Sequence, residues 1–283
     1  MRTRFAPSPT GWLHLGHVAN ALWTWETAAR CGAAVVLRIE DHDRGRCRPA
    51  YERQLLDDLA WLGFMPEPES AMSLRRAPSP FRQSDCGAIY EAALARLAHA
   101  GLVYGCDCSR SAIAAQAGDA AADGVEPRYA GTCRDRRLPL EPGLGIRVRL
   151  PDTTETFDDL RLGPQVQHPQ QQCGDLLVRD RLGNWTYQFA VTVDDLRHGI
   201  DLVVRGEDLL GSTGRQMALA RLLGRDVPPR FLHHPLIRNA AGIKLSKKDD
   251  APGLRDFRAA GWLPADVLAE ARQAAGNGLA RRE

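Results

Sequence analysis

Nowhere does the chain come near the roughly 20 consecutive apolar residues of a membrane-spanning helix, so a protein built on spanning helices is excluded. No secretory leader is expected either, since Met1-Arg2-Thr3-Arg4 runs straight into sequence that reads as structured, and the cytoplasm is the expected location. Cysteines number seven, an odd count without secretory context, which argues against a disulfide framework and leaves metal ligands or buried thiols. Excess charge of one sign is lacking too. The formal net charge is +2, so any nucleic-acid partner would be held by a local basic face and not by a global field. No internal repeat is found, and no obligate protein partner is evident. What is present is 283 residues, 44% apolar and 25% charged, enough to bury a full core and near the size where one domain begins to divide. One large domain with a smaller insert is the expectation.

The first forty residues read as strand, loop, helix, strand. "TRFAP" is a short strand candidate ended by prolines that cannot continue a sheet interior. Val18, Leu22, Trp25 and Ala29 then recur at helical spacing from a start near Gly16, and Gly32 follows as a stop signal. "AAVVLRIED" is a continuous apolar run of strand length. The order predicts a βαβ unit with parallel strands, in which ligands gather beyond the carboxyl ends, where Ser8 to His17 would meet Glu40 and Asp41. In His14-Leu15-Gly16-His17 two imidazoles flank a residue without a side chain where a loop enters a helix. Gly16 would let a flat adenine or ribose approach the backbone, with both rings and the helix amino terminus facing phosphate oxygens.

The tetrad "HLGH" resembles the HIGH signature of class I aminoacyl-tRNA synthetases, and "KLSKK", Lys244 to Lys248, resembles their KMSKS loop. "RFAPSPTGWLHLGH", "RIEDHD" and "VVRGEDLLGSTGRQ" resemble the glutamate-specific branch, and together these motifs cover most of the chain in the right order. The resemblance implies an α/β fold, a Rossmann-like catalytic domain that activates L-glutamate with ATP and Mg2+. It implies that His14, Gly16, His17 and Lys247 contact ATP, that Lys247 neutralises the leaving pyrophosphate with Lys244 assisting, and that His14, His17, Lys244 and Lys247 form the catalytic set. It also implies that Arg4, Ser8, Glu40, Tyr187 and Arg205 bind glutamate, Glu40 holding the ammonium group. Arginine forks suit the carboxylates, because paired charge-assisted hydrogen bonds fix orientation as well as charge. One departure stands out: where the family usually shows "RIEDTD", this chain has His42, while Glu40 is kept.

Cys106 and Cys108 flank Asp107, and Cys133 closes "YAGTC". Three thiols fall one short of a tetrahedral structural zinc site. Full-length bacterial glutamyl-tRNA synthetases of the zinc type often add a histidine two positions after the last cysteine, where this chain has Asp135. Here the chain is similar instead to the truncated glutamyl-queuosine tRNA(Asp) synthetases, in which a tyrosine four positions before that cysteine serves; Tyr129 stands there. The resemblance thus implies one structural Zn2+ per chain on Cys106, Cys108, Tyr129 and Cys133. Cys31, Cys47, Cys86 and Cys173 show no ligand spacing.

The expected division is 1–100 for the first half of the catalytic domain, 101–162 for the insert with the zinc site, and 163–283 for the second half with the KMSKS-like loop. "DLLVRDRLGNWTYQFAV" is expected to return to the main sheet through a Gly-Asn turn, and Ser212 and Thr213 to cap the helix "GRQMALARLLG". No anticodon-binding region is expected after Glu283. The reading this favours is a ligase that forms glutamyl-adenylate and transfers glutamate to the queuosine base of tRNA(Asp), with Arg110, Arg128, Arg134, Arg136 and Arg137 holding the RNA backbone. The alternatives are a shortened glutamyl-tRNA synthetase charging tRNA(Glu) and a noncatalytic tRNA-binding module.

Overall fold

A computed structural model describes residues 1–42, 44–117, 127–237 and 253–275. β1 (Arg2–Phe5) and β2 (Ala34–Leu37) pair in parallel, Thr3 opposite Val35 and Phe5 opposite Leu37, and α1 (Leu15–Cys31) crosses between them. Val18 and Leu22, one helical turn apart, are both buried, and truncating such a leucine to alanine costs roughly 2–5 kcal/mol. Gly32 ends α1 at φ +62°, where its N–H bonds back to Ala28 O and a side chain would be strained. The predicted βαβ unit is therefore present, with the expected helix bounds and a second strand that is shorter than the apolar run 33–41.

The remaining elements are α2 (Pro49–Trp61), α3 (Pro68–Leu74), α4 (Gly87–His99), β3 (Val103–Cys106), α5 (Arg110–Ala117), β4 (Gly145–Val148), β5 (Glu155–Asp159), β6 (Gly163–Gln167), α6 (Pro169–Cys173), β7 (Leu176–Arg179), α7 (Tyr187–Arg197), β8 (Leu202–Gly206), α8 (Thr213–Leu222), β9 (Arg230–His234), α9 (Leu254–Ala259) and α10 (Pro264–Ala275). β8 and β5 each run parallel to β9, and β6 folds back antiparallel on β5. β1 lies beside β8 in the same direction: Asp201 N donates to Arg2 O at 2.9 Å and Arg4 Nη1 to Val204 O at 3.2 Å. Beyond β2, Ile39 N donates to Phe81 O and Gln83 N to Ile39 O, so residues 81–83 flank the end of that strand. The carboxyl ends of β1, β2 and β8 consequently open on one side. One apolar cluster joins β1, β2, α1, α2 and α10; another joins α4, β4, β7, α7 and α8. Among the described residues no helix is long and apolar enough to cross a membrane.

The structure corrects three local expectations. β7 does not rejoin the main sheet; it pairs antiparallel with β4, completing a sheet of order β3-β4-β7, because Leu176 and Val178 share a buried face with Ile146 and Val148. A boundary at residue 162 falls inside the β5–β6 hairpin, and β5 pairs with β9, so that hairpin belongs to the main layer despite preceding β7 in the chain. Ser212 occupies the N-cap position of α8 without a side-chain cap: its Oγ accepts from Gln188 Nε2 at 3.0 Å, while Thr213 Oγ1 accepts from Arg205 Nη2.

Candidate active site

A cavity of about 520 Å3 opens where those strands end, and its wall includes Arg4, Ser8, His14, Gly16, His17, Glu40, Tyr187 and Arg205. The sequence-predicted glutamate set and the described part of the ATP set thus meet in one place.

His14 is the N-cap of α1, in extended conformation at φ −131°, ψ 174°. Its Nδ1 accepts from Gly16 N at 3.1 Å, and its own N–H donates to His17 Nδ1 at 3.2 Å, a reciprocal capping box. Both Nδ1 atoms are acceptors, so each neutral ring carries its proton on Nε2. A Cβ at Gly16 would sit 2.9 Å from His14 Cε1, so this glycine is needed for the close approach of the first imidazole. Two histidines that read as ligand contacts in the sequence are therefore also the structural start of the helix.

Lys244 and Lys247 lie outside the described residues. The flanks of that segment are described, however. Ile237 lines the cavity, and Gly253 bridges to His14, with Leu254 N donating to Leu13 O at 2.8 Å. Both ends of the segment are thus anchored at the site. All three lysines of the chain, Lys244, Lys247 and Lys248, fall in it, a signal of composition that sequence reading could also have used.

The cations behave differently from one another. Arg4 directs Nε at both oxygens of Asp195, at 3.0 and 3.2 Å, so its charge is committed to a protein carboxylate. Arg38, fully buried, donates to Glu40 at 2.8 Å and Asp195 at 2.7 Å and lies 3.8 Å from Asp194. Burial opposes its charge, but these three carboxylates outweigh that and hold its pKa well above the ordinary value. Burial likewise pushes the Asp195 carboxyl up, yet Arg4 and Arg38 win and hold it at about 2. Arg205 donates from Nε to His233 Nε2 (3.1 Å), from Nη1 to Gln216 Oε1 (2.6 Å) and from Nη2 to Thr213 Oγ1 (2.8 Å). No carboxylate pairs with it among the described residues, and burial lowers its pKa. Asp159 supports it at one remove, bonding His233 Nδ1 at 2.6 Å and so leaving the Nε2 lone pair for Arg205. Tyr187 stays a neutral phenol, raised first by burial and then by the charge of Glu40.

Arg38, Asp194, Asp195, Gln216 and His233 were missed by sequence reading. The only hint was the doublet "DD" in a helix otherwise apolar on that face, whose buried members Asp194 and Asp195 require cations.

The second cluster lies at the end of β3. Sγ atoms of Cys106, Cys108 and Cys133 all lie within 4.8 Å of one another, the Cys108–Cys133 pair at 3.5 Å. Tyr129 Oη is 3.6 Å from Cys106 Sγ, while Asp135 is exposed and faces Arg149. Sulfurs on a tetrahedral ion with bonds of about 2.3 Å lie about 3.8 Å apart, so this set has the size and softness for such an ion. Burial pushes the Cys108 thiol up to about 12, aided by Cys133, whereas Arg147, donating to Cys106 Sγ at 3.3 Å, overcomes burial and lowers that thiol. Asp107, not assigned any role from the sequence, bonds Cys133 Sγ at 3.1 Å and Arg136 at 2.8 Å. Of the five arginines around this insert, Arg110, Arg128, Arg136 and Arg137 are exposed, and Arg134 pairs with Asp175.

The family of class I tRNA synthetases (E and Q), catalytic domain, matches residues 1–273. A Bordetella bronchiseptica protein named glutamyl-Q tRNA(Asp) synthetase is 44% identical over 89% of this chain and 76% of its own length. A Frankia casuarinae glutamate–tRNA ligase is 38% identical over 94% of this chain, which spans 54% of that protein. The crystal structure of a glutamate tRNA ligase from Elizabethkingia meningosepticum, in complex with its amino acid, superposes with a TM-score of 0.77 at 28% identity, covering 96% of this chain and 60% of that one. With the paired histidines capping α1, the buried arginines at the strand ends and this match, the chain belongs to the class I tRNA synthetases of the E and Q group.

Proposed function

We propose that the chain activates L-glutamate with ATP and transfers it to the queuosine base of tRNA(Asp). The observation that carries the glutamate half is Arg205, a buried guanidinium at the cavity with neutral hydrogen-bond partners only among the described residues. A substrate carboxylate completes that environment. Glu40, anchored by Arg38, supplies the anion for the ammonium group, and Ser8 and Tyr187 supply hydroxyls between them. The glutamate α-carboxylate then attacks the α-phosphorus of magnesium-bound ATP and pyrophosphate leaves. His14 and His17 offer Nε2–H groups to phosphate oxygens, and Lys244 and Lys247 are the cations for the leaving group. Positioning and electrostatics do nearly all of this work. Cys106, Cys108, Tyr129 and Cys133 hold one zinc ion, whose part is to fix the shape of the insert.

For the acceptor, support comes from the Bordetella relative's name and from chemistry. Queuosine carries a cyclopentene diol, whose hydroxyls stand in for the terminal ribose diol of an acceptor end, and single-stranded loops are where RNA bases can be splayed out and read. The Frankia relative's name favours a second reading, transfer to the 3′ end of tRNA(Glu). Labelled glutamate is expected on tRNA(Asp) from cells that make queuosine and not on the same tRNA from cells that cannot. Labelling of tRNA(Glu) at its 3′ end, indifferent to queuosine, would install the second reading.

A further inference from the structure

Tyr187 also borders a second cavity of about 840 Å3, whose wall includes Arg110, Tyr129 and Arg147 of the cysteine-bearing insert, and His42 lines the same cavity with its ring centroid 6.1 Å from the tyrosine's. The orientation of this histidine's protons is imposed from behind. Asp194, fully buried, accepts from Tyr90 Oη at 3.0 Å and Arg197 Nε at 2.8 Å and lies beside Arg38, so it is a carboxylate and only accepts. It therefore takes the amide N–H of Gln83, Nε2 to Oδ2 at 2.8 Å, which turns Gln83 Oε1 towards His42 Nδ1, also at 2.8 Å. An amide oxygen cannot donate. Nδ1 must then carry the proton, and Nε2 of the neutral ring carries the lone pair. Among the described residues nothing hydrogen-bonds that Nε2, and the ring is only partly buried.

We infer that His42 Nε2 is the proton acceptor of the transfer step, with Gln83 as the residue that positions it. The inference rests on the acyl transfer proposed above, whichever tRNA hydroxyl is the nucleophile. In that step the hydroxyl oxygen attacks the carbonyl carbon of glutamyl-adenylate, a new ester C–O bond forms, the mixed-anhydride C–O bond breaks and AMP leaves with the electron pair. The hydroxyl proton goes to Nε2, and the resulting imidazolium returns it to water. Adenylate formation differs in kind: a carboxylate displaces pyrophosphate and no proton has to move. A proton acceptor in the wall of the second cavity, beside the Tyr187 that borders both cavities, therefore has work only in the second half-reaction.

The test separates the two halves in the zinc-replete protein. Pyrophosphate exchange with glutamate reports activation, and single-turnover transfer from preformed adenylate, with the tRNA that the wild type charges, reports the second step. For His42→Ala and His42→Gln the ratio of transfer to exchange is expected to fall by about 100-fold, in the range that positioned acid–base groups contribute. Added imidazole should restore part of the transfer rate of His42→Ala and leave wild type unchanged, which a purely structural role would not produce. Gln83→Leu, which releases the tautomer but keeps the ring, should lower the same ratio by about tenfold. A ratio within threefold of wild type in both His42 variants, or a proportional loss of exchange and transfer without imidazole rescue, overturns the assignment. Failure of the wild type to charge any tRNA is a different result and refutes the function instead.

Discussion

Arg38 and Arg205 are both buried guanidinium groups, and their surroundings predict opposite consequences of removal. Arg38→Met leaves Glu40, Asp194 and Asp195 facing one another in a buried space with one cation fewer. Removing one partner of a buried ionic group costs about 3–5 kcal/mol, so unfolding in urea should shift by that amount. Arg205→Met gives up three hydrogen bonds to neutral groups, worth about 1 kcal/mol each, but also removes the cost of keeping a cation out of water without a carboxylate beside it. The net change in stability is expected to lie within about 1 kcal/mol of zero. Its effect on activity is the reverse. A bidentate carboxylate contact offers two charged hydrogen bonds of about 1.5–3 kcal/mol each, so kcat/KM for glutamate in pyrophosphate exchange should fall between about 10² and 10⁴-fold. Urea titration and exchange kinetics on the same two variants decide the matter. If Arg205→Met is destabilised as strongly as Arg38→Met, or retains glutamate exchange within tenfold, Arg205 is a structural cation and the substrate assignment is refuted.

The Asp195 carboxyl, with a folded pKa of about 2 against about 3.9 unfolded, contributes about 2.6 kcal/mol that is present above about pH 5 and lost as pH falls through 2; Asp195→Asn should remove that part of the acid-unfolding curve. His198 adds a separate window. Burial, then the charges of Arg197 and Arg38, depress its pKa to about 4, neither ring nitrogen has a partner among the described residues, and the unfolded chain takes up the proton first. Stability should therefore decline from about pH 6.5 to pH 4 by about 3 kcal/mol in wild type, and His198→Leu should flatten that limb; an unchanged slope would contradict the buried neutral ring. Metal analysis of protein prepared without chelator should give about one zinc per chain, lost in Cys133→Ser, and a value near zero with the fold intact would make the thiols remnants of a site.

The opening βαβ unit was legible because each of its parts is local: prolines after β1, apolar spacing of 3.6 in α1, a glycine at the αL stop and an unbroken apolar run for β2. The placement of Arg4, Glu40 and Arg205 was legible for a related reason, since each ends an apolar run and parallel strands bring their carboxyl ends together. Tyr129 was named beside the thiols by family resemblance, and its Oη lies 3.6 Å from Cys106 Sγ.

Sequence by itself thus determined the elements at the site and the residue types at its strand ends, because these follow from periodicity and short-range order. Tertiary structure alone decided the state of each group. Whether an arginine is free for substrate depends on carboxylates far along the chain, as Arg4 and Arg38 depend on Asp195. Whether β7 joins the main layer or β4 depends on which buried face accepts Leu176 and Val178. Which nitrogen of His42 carries its proton depends on Gln83 and, behind it, Asp194. Hydrogen bonds and ion pairs act over a few ångströms in space and have no period in sequence, so only the folded chain could assign them.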